Sequence, residues 1–225
     1  MLEGLGDRLG PAVTCATTEH FNRQTARAAT VSEANGRATI YLAALSSNVI
    51  ALAFIGQMSH LGPAFYAFAL ILLPVIAFVG IVTFQRLVQS SVEDIAYALR
   101  IGRLRDFYLG VAPELEPYLL VVRGRRAETF LHDERLRSSG WQLTLTTAGM
   151  VAVVNSVVIG ASAGLLFETL SSGSLAVTLA AGVIIGASTL FVQQRHHRHA
   201  SDAYRPEAVD RAAIFVPAAK QAAAA

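Results

Sequence analysis

From Ala38 to Gln85 the chain carries no Asp, Glu, Lys or Arg. Two apolar runs, Ile40 to Met58 and Phe65 to Phe84, lie inside that stretch. Each is close to the about 20 residues with which a helix, rising about 1.5 Å per residue, crosses about 30 Å of hydrocarbon. The join between them, Ser59-His60-Leu61-Gly62-Pro63, is short and polar. This pattern predicts a transmembrane helical hairpin.

The rest of the chain repeats the theme. Gln142 to Phe167 and Leu175 to Val192 form a second pair of runs, with Glu168 to Ser174 as the expected turn. Charged residues make up 15% of the chain, against about 25% in a typical soluble domain. The expected fold class is therefore an all-α integral membrane protein, with four transmembrane helices in two hairpins and a cytoplasmic helical region. Its expected segments are an N-terminal cytoplasmic segment with an amphipathic helix (1–38), a first hairpin (39–84), a cytoplasmic helical region (85–141), a second hairpin (142–192), and a basic segment with a disordered tail (193–225).

Orientation follows from the basic residues. All 18 Lys and Arg lie before the first run, between the second and third, or after the fourth. Positive charge is retained on the cytoplasmic side. Both termini and the central region are accordingly expected in the cytoplasm, in the cell or inner membrane. The first forty residues lack the apolar core of a cleaved signal peptide, so the N-terminus is expected to be kept. The one cysteine, Cys15, excludes an intramolecular disulfide.

Outside the runs, Gly4, Gly6, Gly10 and Pro11 suggest a flexible start, with a helix from about Thr17 supported by Glu19–Arg23 and Glu33–Arg37 at i,i+4. Asn35-Gly36 is a possible break. Val88, Val92, Ile95, Leu99 and Gly102 alternate four and three apart, a stripe suited to packing on the N-terminal helix or a neighbouring subunit. Pro113 and Pro117 interrupt the chain beyond that stripe, and a further helix is expected over about Arg126 to Ser138. Tyr41 and Trp141 stand at run starts, where amphipathic aromatics favour the headgroup level.

The polar residues inside the runs carry most of the functional information. Ser46, Ser47 and Asn48 lie near the middle of the first run, and Asn155 and Ser156 near the middle of the third. Each can either hydrogen-bond a neighbouring helix or line a water-filled path. Pro74, at the centre of the second run, is a candidate hinge. Gly160 and Gly164, and Gly182 and Gly186, have the spacing that lets helix backbones approach closely, either within the chain or between subunits. Arg195, His196, His197 and Arg198 form a candidate lipid-headgroup cluster. Arg123, Arg125 and Arg126 read first as charge held on the cytoplasmic side.

The absence of intramembrane charge argues against proton-coupled transport and an Arg-based voltage sensor. There is no Walker loop, GxSxG, HExxH or CxxC, so no catalytic, metal or cofactor site is expected. The partners expected are the lipid bilayer, further copies of the chain and a cytoplasmic protein, with no nucleic acid.

Ala34-Asn35-Gly36-Arg37-Ala38, running into Tyr41-Leu42-Ala43, resembles the entry to the first span of small bacterial membrane effectors of cyclic-nucleotide anti-phage systems. The likeness covers about a tenth of the chain, and four runs replace the two of those effectors. It implies permeabilisation of a bacterial inner membrane on signalling. Two expectations result: a homo-oligomeric, channel-like pore lined by neutral groups and controlled by cytoplasmic helices, or a non-conducting adaptor or sensor that recruits a partner.

Overall fold

A computed structural model describes residues 3–119, 145–171 and 174–202. Among them there is no strand. The helices are α1 (Glu3–Met58), α2 (Pro63–Val111), the one-turn α3 (Glu116–Leu119), α4 (Thr147–Ser171) and α5 (Leu175–Asp202). A 3-10 turn at Pro113–Leu115 leads from α2 into α3. All four long helices, α1, α2, α4 and α5, are apolar and long enough to cross a membrane. The expected helix near Arg126 to Ser138, the position of Trp141, the Arg123, Arg125 and Arg126 group and the tail after Asp202 lie outside the described residues.

Three boundaries differ from the sequence reading. α1 starts at Glu3 instead of Thr17 and passes Pro11, Asn35 and Gly36 without a break. One glycine costs a helix only about 1 kcal/mol, and Asn35 is held in place from two sides. Its carbonyl accepts the Thr39 hydroxyl at 2.9 Å, and its side-chain oxygen accepts the Thr147 hydroxyl of α4 at 3.4 Å. α4 runs to Ser171, so Glu168 stands on a helix and not in the turn. α5 continues past Val192 to Asp202, so the Arg195 to Arg198 cluster is helical.

The α1–α2 connection is tight. His60 and Leu61 take positive φ, 50° and 57°, the left-handed region that ends a helix at some cost for a side chain. The Leu61 N–H donates to Gly56 O at 3.0 Å and the Gly62 N–H to Ser59 O at 2.8 Å. A Cβ on Gly62 would sit 2.8 Å from Ser59 O, so the turn needs glycine there. Pro63 then opens α2, where its missing N–H costs nothing.

The described residues form two compact units. One comprises 29–91, 145–171 and 174–198. Its core combines large side chains with alanines: Tyr41, Phe84, Leu87 and Val151 are buried beside Ala69, Ala77 and Ala152. Arg37 and Arg86 converge on Glu33 Oε1, at 2.9 Å and 3.2 Å, tying α1 to α2. Hydrogen bonds from these two guanidinium groups, Arg37 first, hold the Glu33 carboxyl below its usual pKa.

The second unit comprises 3–28, 92–119 and 199–202 among the described residues. Here the end of α2 meets the N-terminal part of α1 through two pairs of side chains. Arg27 and Asp94 form a two-pronged pair, Nε to Oδ1 at 2.7 Å and Nη2 to Oδ2 at 3.2 Å. The His20 ring lies 5.8 Å from that of Tyr108. Partial burial, aided by the Arg105 charge, lowers the His20 pKa from its ordinary value.

Candidate functional site

Tyr41, Gly80 and Asn155 bring α1, α2 and α4 to one point inside the first unit. Asn155 is 0% exposed and Tyr41 1%. The Tyr41 hydroxyl donates to Asn155 Oδ1 at 3.4 Å. Gly80 makes the meeting sterically possible, since a Cβ there would fall 2.1 Å from Asn155 Oδ1 and 2.7 Å from the Tyr41 hydroxyl. Asn155 Nδ2 is buried with no hydrogen-bond partner among the described residues, so the junction holds one unmet donor, a cost of about 1–3 kcal/mol where water is excluded. Tyr41 thus faces the protein interior. Its ring fills the core and its hydroxyl finds a partner there, which removes the need for water.

The other polar residues behave differently. Ser156 is buried, and its hydroxyl donates to Ala152 O of its own helix at 2.7 Å. Asn48 is half-buried and turns its amide onto Ala44 O at 2.7 Å. Ser46 and Ser47 are exposed and bond only Leu42 O and Ala43 O, one turn back. On a helix of 3.6 residues per turn, Thr39, Ser46 and Gln57, seven and eleven apart, fall on one face. All three are exposed; the exposed Ile50 shares that face, and the exposed Phe54 lies to one side of it. Pro74 is exposed within α2, which continues through it.

The glycines lie on a seam between α4 and α5. A Cβ on Gly160 would be 2.6 Å from Gly182 O and 3.3 Å from Gly186 Cα. The converse holds too, with Gly182 2.9 Å from Gly160 O and Gly186 3.0 Å from Ser156 O. Gly164 is looser, 3.4 Å from Thr178 O. At one end of the seam the Thr178 hydroxyl donates to Glu168 Oε2.

Of the basic cluster on α5, Arg195, His196 and Arg198 are exposed, and the His196 ring stands 6.5 Å from that of Phe84. His197 is not available to headgroups, being 2% exposed. It shares a helix face with the buried Gln193 and Gln194, and that face turns inward.

Sequence reasoning missed Gly80, Glu168 and Thr178. Gly80 reads as an ordinary glycine near a span end, and nothing local shows that Asn155 needs its space. Glu168 reads as the end of a span because it carries charge. Among the described residues no group of three or more His, Cys, Asp or Glu could hold a metal ion. Compared with protein-family models, curated proteins and solved structures, the chain matches none.

Proposed function

We propose that this chain is a four-span membrane protein, with both termini in the cytoplasm, whose copies assemble around α1 into a neutral-lined pore. The two hairpins are α1–α2 and α4–α5. The cytoplasmic helical region is the second unit, where the N-terminal part of α1 meets the end of α2. The observation that carries the reading is the polar face of α1. Thr39, Ser46 and Gln57, on one face, are left uncovered by their own chain in a segment otherwise apolar enough for hydrocarbon. Polar side chains at that depth favour a neighbouring helix or water over lipid. A ring of copies would give them both.

Control comes from helix continuity. α1 and α2 each extend from the apolar segment into the helical region without a break, so a ligand or protein acting on Arg27, Asp94 or their neighbours would act on the same helices that line the path. Asn155 is assigned to holding the bundle together, since it is buried between three helices. The localisation proposed is a cell or bacterial inner membrane.

The test is ion flux from liposomes that contain the purified protein. Ser46→Leu combined with Gln57→Leu is expected to abolish the flux while leaving insertion and thermal stability unchanged, because both side chains are exposed. Unchanged flux would remove this face from the pore. One observation favours the second reading, a non-conducting adaptor: Phe21, 64% exposed, and Phe107, 37%, are free apolar surface on the helical region. An adaptor gives no flux under any ligand and retains a soluble protein through that surface.

A further inference from the structure

The α4–α5 seam opens on one side into a groove of about 700 Å³. Its floor is the glycine seam, and its walls are aliphatic, with Val157, Leu165, Leu179 and Val183 among them. Glu168, near the end of α4, and Thr178, near the start of α5, are bonded to each other in its wall, which Tyr66 of α2 and Ser156 of α4 also line. At 1.5 Å per residue the helical stretch from Leu175 to Leu190 is about 22 Å long. That is about the length of one extended acyl chain.

Glu168 says what the occupant must bring. It is the one Asp, Glu, Lys, Arg or His in the lining. Its one hydrogen bond comes from the neutral Thr178 hydroxyl, and no described residue forms a salt bridge with it. A carboxyl group at the edge of hydrocarbon is costly without a cation or several donors. We propose that the groove holds a phospholipid whose headgroup is a primary ammonium. One acyl chain lies along Gly160, Gly164, Gly182 and Gly186, and the ammonium donates to Glu168. A quaternary ammonium cannot donate a hydrogen bond, and an anionic headgroup would meet Glu168 with like charge. The assignment rests on the four-span reading and is independent of whether the protein conducts.

The experiment uses the full chain purified from membranes, analysed by native mass spectrometry after exchange into mixtures of phosphatidylethanolamine, phosphatidylcholine and phosphatidylglycerol with matched chains. One phosphatidylethanolamine per chain is expected to remain, with about tenfold preference over phosphatidylglycerol, the ratio one charge-assisted hydrogen bond supplies. Glu168→Gln is expected to erase the preference and keep the bound chain. Ala161→Phe, placed on an exposed lining position, is expected to expel the lipid without disturbing the glycine contacts. Equal retention of the two lipids, an unchanged preference in Glu168→Gln, or a second copy seated on the seam without lipid would overturn the proposal. An alkaline carbonate wash of the same membranes separates the two failures. Protein that washes off overturns the four-span reading, whereas protein that stays but holds no lipid overturns only the groove.

Discussion

Gly80→Ala is expected to lower the stability of the protein by about 1–3 kcal/mol, the usual cost of forcing a methyl group into a packed interior. The added Cβ would lie 2.1 Å from Asn155 Oδ1 and 2.7 Å from the Tyr41 hydroxyl. A side-chain oxygen can often swing aside, but Asn155 is wholly buried and Tyr41 nearly so. Either the α1–α2–α4 junction widens or the Tyr41–Asn155 hydrogen bond is lost, and the measured range for such interhelical bonds is about 0.6–2 kcal/mol. The cause can be isolated. In an Asn155→Ala background the closest clash is gone and only the Tyr41 hydroxyl, at 2.7 Å, still has to give way, so the same Gly80→Ala change is expected to cost clearly less. Thermal unfolding of the four proteins in one bilayer mimetic gives the coupling energy directly. Equal losses in both backgrounds would show that Gly80 does not make room for Asn155.

Gly160→Leu is expected to be more damaging still, with a loss above about 3 kcal/mol because overpacking meets atoms that cannot rotate away. The nearest atoms to its Cβ are Gly182 O and Gly186 Cα, both backbone. α4 and α5 would have to move apart along their whole seam, giving up the close van der Waals contact that substitutes for hydrophobic driving force within lipid. The controls are in the same chain. Gly164→Ala meets nothing closer than 3.4 Å and is expected to be tolerated. Gly36 and Gly102 have nothing within 4 Å, so alanine there is expected to stabilise the helices by up to about 1 kcal/mol each. A Gly160→Leu protein that resists heat and protease as well as the parent would contradict the observed seam.

Much of the fold is legible in the sequence because one physical rule dominates it. A run free of charge from Ala38 to Gln85, and another pair after Gln142, leaves few structures other than long helices. The glycine spacing is equally visible on α4 and α5, but spacing alone does not say whether its partner is the next helix or another copy. That depends on which faces meet, a tertiary fact. Tyr41 illustrates the limit. An aromatic at the start of a span satisfies the headgroup rule, and its inward turn toward Asn155, 114 positions away, leaves no local trace. Glu168 shows the opposite error. Its charge reads as the end of a helix, whereas α4 runs on through it to Ser171, with the Thr178 hydroxyl bonded to its carboxylate. The helix through Pro11 and Gly36 is hidden when each breaker is weighed alone. Propagation of a long helix outweighs an isolated breaker, as a costly nucleus once formed is extended cheaply.

Everything proposed for this chain depends on α1 and α2 crossing a bilayer with the N-terminus on the cytoplasmic side. Cys15, the chain's only cysteine and exposed on α1, makes that testable without altering the protein. A membrane-impermeant maleimide is applied to sealed right-side-out and inside-out vesicles. Cys15 is expected to react only in inside-out vesicles. A second protein, carrying Cys15→Ser with His60→Cys in the α1–α2 turn, is expected to react only in right-side-out ones. Labelling of both positions from the same side would mean that α1 does not cross the membrane, and the hairpin, the pore and the lipid groove would all have to be abandoned with it.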